Sequence, residues 1–179
     1  MMTRILRDPF LRFGAVIVKT SQYLFALAAG LVLLSAPLSA IFADKLLQTV
    51  KQHFAIADSH YPVGSVVALL LFVSVVLVLW WMFFRYLTHI VDTVVEGDPF
   101  IASNAKRLQH MALLLLTIQL IYIPTAALGL IVETAFKGPT SEVDVFWDFT
   151  GLLMVITLFI FARVFRHGTD MRSDLQGTI

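Results

Sequence analysis

Apolar residues run almost unbroken through four stretches of the chain, residues 18–42, 63–84, 111–132 and 145–165, while polar residues collect between and outside them. Each stretch holds about twenty residues, the length an α-helix needs to cross a hydrocarbon layer of about 30 Å. In lipid every backbone N–H and C=O must find a partner within the protein, and a helix achieves this alone. The pattern therefore predicts an all-α integral membrane bundle of four transmembrane helices, a single domain over residues 1–179. The first apolar run exceeds the roughly 7–15 residues of a cleavable signal, so that span is expected to be retained despite the small residues of 34–40. A second pattern follows the second span. Leu87, Ile90, Val91, Val94 and Val95 recur at helical spacing, so this helix is expected to continue past the apolar layer as an amphipathic extension. Gly97 reads as its stop and Pro99 as a bar to continuation. Ser103 or Asn104 is expected to cap the next helix, which carries Lys106, Arg107 and Leu108 into the third span. A helical elbow is thus expected between helices two and three, and the connection between the first two spans reads as an outer loop.

Composition and charge sharpen this picture. The chain is 59% hydrophobic and 14% charged, whereas a soluble domain is about one-quarter charged. No connection is long enough for a separate soluble catalytic domain. Arg4, Arg7, Arg12, Lys19, Arg85, Lys106, Arg107, Arg163, Arg166 and Arg172 fall on one side of the spans, against Lys45, Lys51 and Lys137 on the other. The positive-inside rule then places both termini and the elbow of this multi-pass chain in the cytoplasm. A formal net charge of +1 gives no general affinity for nucleic acid, so none is expected as a direct partner; the bilayer itself is. Cysteine is absent, which excludes disulfides, thiolate metal sites and cysteine nucleophiles. Lys19 is placed to snorkel toward headgroups, and Trp80, Trp81 and Trp147 sit where an aromatic belt belongs.

Candidate chemistry is sparse. The chain has no glycine-rich phosphate loop, no His-Glu-x-x-His and no Gly-x-Ser-x-Gly, so it is expected not to be an enzyme and to need no cofactor. No span carries a charge near its middle, which argues against ion-coupled transport. His89, His110 and His167 fall at similar depth on three helix ends and are the weak candidates for a metal or haem. His89 also has Asp92 on its own helix face. Pro37, Gln119 and Pro124 mark two kinked helices where an apolar small molecule or lipid would bind. Gln119, Thr117, Thr157 and Ser74 read first as hydrogen-bonding contacts between helices.

The elbow resembles a known family. Glu96-Gly-Asp-Pro-Phe100, followed by Asn104-Ala-Lys-Arg-Leu108, is similar to the Gly-x-x-Phe turn, Asn and Arg-Leu pair of the bacterial membrane family called domain of unknown function 2975. The tail adds Phe161-Ala-Arg-Val-Phe165, Gly168 and Asp174-Leu-Gln-Gly-Thr-Ile179, similar to the family's Phe-rich helix end and its closing acidic-x-x-x-Thr-hydrophobic pattern. Met171 stands where members usually carry leucine. The resemblance implies no activity, but it does imply a partner, because members are often encoded beside a small helix-turn-helix regulator. The leading expectation is a membrane-embedded regulatory or sensor protein that binds or restrains such a regulator. Its candidate partner-binding residues are Gly97, Pro99, Phe100, Asn104, Arg107, Leu108, Gly168, Asp174, Thr178 and Ile179. The tail is alternatively expected to fold back onto the elbow and close the bundle, which is compatible with that role. Binding or transport of an apolar molecule is the alternative, a haem or metal protein the third reading, and a homo-oligomer and a monomer stand equal.

Overall fold

The computed structural model describes residues 9–54, 62–137 and 149–176. These residues form five helices: α1 (Pro9–Ile41), α2 (Ala43–Phe54), α3 (Val63–Val95), α4 (Ala102–Lys137) and α5 (Phe149–Gln176). Four of them contain segments long and apolar enough to span a bilayer, within Leu11–Ile41, Val63–Val95, Ala102–Ala135 and Phe149–Arg172. The chain is an all-α, multi-pass membrane protein. α3 has 33 residues, about 50 Å at 1.5 Å per residue, well beyond the hydrocarbon thickness. The surplus is the amphipathic extension toward the elbow.

One element departs from expectation. The supposed outer loop after the first span begins with α2, a strongly amphipathic helix with Asp44 in its first turn. It scarcely interrupts α1. Phe42 N donates to Leu38 O at 3.0 Å and Leu46 N to Phe42 O at 2.9 Å, so the helical ladder runs across the junction. Local hydrogen bonding carries the helix onward where hydropathy alone shows only the end of an apolar run.

The chain groups into two compact units. The first comprises Met1–Phe25, Leu79–Gln119 and Asp148–Ile179; the second comprises Ala26–Val78 and Leu120–Trp147. In the first unit, α4 buries Asn104, Leu108, Met111, Leu115 and Ile118, and α5 buries Val155, Leu158 and Ala162. Both sets alternate steps of three and four, the seam geometry of packed helices. Ala105 and Ala112 are buried too, and small side chains such as these and Ala162 let helix backbones approach in lipid.

Within the same unit α1 and α3 zip together antiparallel. Lys19 Nζ lies 3.3 Å from Asp92 Oδ1, the Thr88 hydroxyl shares its one hydrogen between Phe84 O at 2.9 Å and Gln22 Oε1 at 3.1 Å, and the Phe25 ring stacks on Trp80 and Phe84 at centroid distances of 5.9 and 5.3 Å. Moving along α1 in steps of three thus moves back along α3 in steps of four. Asp92, read from sequence as a neighbour of His89, is the partner of Lys19.

Among the described residues of the second unit, the buried ones are all small: Ala29, Ala36, Ser39 and Ser74. Pro37 lies inside α1 and Pro124 inside α4, removing the donors that Leu33 O and Leu120 O would take. The hydroxyls expected to bond between helices bond within their own. Ser74 donates to Leu71 O, Thr117 to Leu113 O and Thr157 to Leu153 O, all at 2.7–2.9 Å. A carbonyl one turn back is always within reach of such a hydroxyl, so it satisfies the group before any neighbouring helix does.

The seam yields a direct test. Ala112 is fully buried whereas Leu113 is 45% exposed. Ala112→Phe is expected to destabilise the protein by about 1–3 kcal/mol through overpacking, read as a lowered thermal unfolding midpoint in detergent. Leu113→Phe is expected to leave the midpoint unchanged. Equal effects would remove the assigned seam.

Candidate functional site: the elbow and the end of α5

α3 stops by a specific backbone device. Gly97 has φ +85°, a left-handed conformation that lacks steric cost only for glycine. Gly97 N donates to Val94 O at 3.1 Å and Asp98 N to Thr93 O at 3.0 Å, the paired bonds of a Schellman stop. Pro99 follows and prevents the helix from resuming, and α4 begins at Ala102.

The expected capping role of Ser103 or Asn104 is corrected by this geometry. Ser103 is exposed, and Asn104 lies inside the first turn of α4, completely buried. Its carboxamide is used across the elbow. Nδ2 donates to Thr93 Oγ1 at 2.7 Å and to Pro99 O at 2.9 Å, while Oδ1 accepts from Arg107 Nη1 at 2.8 Å. Both amide hydrogens are therefore consumed, one by α3 and one by the turn. Thr93 passes its own hydrogen to Ile90 O at 2.7 Å, and Arg107 Nη1 also reaches His89 O at 3.4 Å. Leu108, one turn beyond Asn104, is buried. Buried polar groups linked this completely are rigid, because moving any one of them orphans another.

The end of α5 closes over the turn. The Phe100 ring lies 5.2 Å, centroid to centroid, from that of Phe165. A Cβ added at Gly168 would stand 2.9 Å from Phe100 Cδ1, so the glycine makes room for the ring. Arg172 pairs with Asp98, both side chains nearly half exposed. An open groove of about 590 Å³ borders this contact, lined by Phe100, Arg163, Val164, His167, Gly168 and Met171. The chain does not fold back as far as Arg172, since α5 runs unbroken to Gln176 and meets the elbow with its flank; the side chains of Asp174, Thr178 and Ile179 lie outside the described residues.

The other sequence candidates disperse. His89 is exposed beside α1. His110 stacks on Tyr86 at 5.5 Å, and its Nδ1 lies 2.7 Å from Lys106 O; a carbonyl only accepts, so Nδ1 carries the proton there. His167 lines the α5 groove. Among the described residues no three His, Asp or Glu side chains are grouped to hold a metal ion. Pro37 is exposed and Pro124 half-buried, both in the second unit, whereas Gln119 ends a segment of the first. Sequence reasoning did not single out Thr93, Asp98 or Arg172. A polar residue interrupting the apolar stripe between Ile90 and Val94 was the available signal for Thr93. The ion pair joins residues 74 positions apart, a pairing that leaves no local trace.

Two substitutions test the elbow. Asn104→Ala leaves Pro99 O and Arg107 without their buried partner and is expected to cost about 3 kcal/mol, measured as a reduced unfolding midpoint; a neutral result would remove the network from the account. Gly97→Val forces a β-branched residue to positive φ and is expected to cost at least about 1–2 kcal/mol, with Gly97→Asn milder. Equal tolerance of Val and Asn would contradict the left-handed stop.

Comparison with known families agrees with the motif residues. The chain matches the family described as protein of unknown function (DUF2975) over residues 45–179. Searches of curated proteins and of solved structures found no match. With more than half its length matched, and with the elbow and the α5 end inside that region, the chain belongs to the DUF2975 family.

Proposed function

We propose that this protein is a non-enzymatic membrane regulator, in which the elbow and the end of α5 form the surface that binds or restrains a small cytoplasmic helix-turn-helix protein. The asymmetry of lysine and arginine supports an inner-membrane orientation with the elbow and both termini in the cytoplasm. The observation that carries the reading is the unequal strength of the two halves of the site. The elbow is locked by three part-buried hydrogen bonds that converge on the fully enclosed Asn104 carboxamide. The α5 end is held by a ring contact at Phe100 and a half-exposed ion pair, and exposed pairs of this kind contribute only about 0–1 kcal/mol. A rigid platform under a weakly held cover suits a two-state device, since a partner or signal needs little differential affinity to shift it. In the released state the face of Phe100 now packed on Phe165 and Gly168 joins the already open apolar groove as a surface for a partner helix.

The test is co-purification from membranes of the tagged protein with the helix-turn-helix protein encoded beside it. Wild type is expected to retain the regulator. Arg172→Asp is expected to change the retained amount severalfold by repelling Asp98, and Asp98→Arg combined with Arg172→Asp to restore it. If neither wild type nor a chain ending before Asp174 retains the regulator, the reading fails.

A further inference from the structure

A second concave site lies in the same unit, on the face that α3 shares with α1. It is a groove of about 340 Å³ between α1 and α3, lined by Lys19, Gln22, Tyr23, Trp81, Arg85, Thr88 and His89. Its polar groups are mostly donors without acceptors. The Arg85 guanidinium lies 5.6 Å from the centre of the Trp81 ring and meets no carboxylate among the described residues. Gln22 touches Thr88 at 3.1 Å, whose hydroxyl also serves Phe84 O, and its amide makes no other hydrogen bond among the described residues. Lys19 uses Asp92 at 3.3 Å, but an ammonium has three hydrogens to give. With Asp92 offsetting one of the two cations, the groove keeps an excess positive charge.

Depth identifies what fills it. Lys19 is the last charge on α1 before an uncharged run through Ala43, and Arg85 is the first on α3 after an uncharged run from Tyr61. The two cations therefore mark the same boundary between hydrocarbon and headgroups, approached from two antiparallel helices. Tyr23 and Leu24 are 72% and 64% exposed just on the apolar side, a surface for acyl chain. Basic pockets between spanning helices at this level suit phosphate-bearing headgroups, and a guanidinium presents the fork that matches phosphate oxygens.

We propose that this groove is a binding site for an anionic phospholipid of the elbow-side leaflet. Arg85, braced on Trp81, grips the phosphodiester; Lys19 and Gln22 complete the cradle; the acyl chains run along α1 past Tyr23. The shared chemistry is a phosphate oxyanion, and the lipid is favoured over free phosphate because apolar surface continues directly from the cradle. Lipid binding here does not require a regulator at the elbow.

The experiment uses the delipidated full-length protein in neutral detergent, following its unfolding midpoint during titration with dioctanoyl phosphatidylglycerol, dioctanoyl phosphatidylcholine or inorganic phosphate. Phosphatidylglycerol is expected to stabilise the wild type saturably and more tightly than phosphatidylcholine, with inorganic phosphate ineffective at the same concentrations. Arg85→Gln is expected to weaken the apparent affinity by roughly fivefold or more, Trp81→Leu to weaken it similarly, and Arg85→Lys to retain part of it. Arg166→Gln, exposed on α5, serves as the charge-matched control and is expected to bind as wild type. The proposal is overturned if Arg85→Gln and Trp81→Leu bind as wild type, if Arg166→Gln weakens binding equally, or if inorganic phosphate protects as well as the lipid.

Discussion

A single buried carboxamide holds the elbow end of this protein together. Asn104 is completely enclosed, and a group with two donors and an acceptor tolerates enclosure only when all are engaged. Thr93, Pro99 and Arg107 engage them. That requirement sets the distance between the end of α3 and the start of α4, and hence the position of Phe100. The placement of the α5 end follows, because Phe165 and Gly168 pack against that ring. The order of dependence runs from backbone stop to amide, from amide to turn, and from turn to cover.

The energetics grade outward in the same order. The inner bonds are short and shielded, so each is costly to lose. The outer ion pair of Asp98 with Arg172 is half in solvent and contributes little by comparison. On the α1 side, Lys19 with Asp92 is likewise half exposed, while the Phe25, Trp80 and Phe84 rings pack in the layer below. Persistent structure in this unit therefore comes from the Asn104 network, the aromatic stack and the α4 and α5 seams. Its exposed charges remain available for exchange.

The spans were readable because lipid imposes length and apolarity together, and few sequences meet both by accident. The elbow was readable because Gly97 and Pro99 act locally, through their own backbone chemistry. What escaped was of two kinds. α2 was mistaken for loop because its residues are amphipathic rather than apolar, and the end of an apolar run carries no sign of whether the helix goes on. The role of Asn104, the Lys19–Asp92 pair and the Asp98–Arg172 pair escaped because each depends on a residue brought close by tertiary packing. Capping rules see only the helix that follows, so they assigned Asn104 to α4 when its amide serves α3 and the turn. The seam along α4 was hidden for a different reason: buried and exposed positions alike are apolar, so polarity does not separate them.

The hydroxyls of Ser35, Ser39, Ser74, Thr117, Thr125, Thr134 and Thr157 all donate to carbonyls within their own helices. Those seven hydroxyls are thereby satisfied before any helix meets another, which eases the partition of the helices into lipid one at a time. Assembly after insertion is left to shape and to the few groups that cannot finish their bonding alone. The α3–α4 hairpin, which satisfies its own buried amide across eleven residues of chain, is the natural first piece to set, giving later-arriving α5 a formed surface on which to settle.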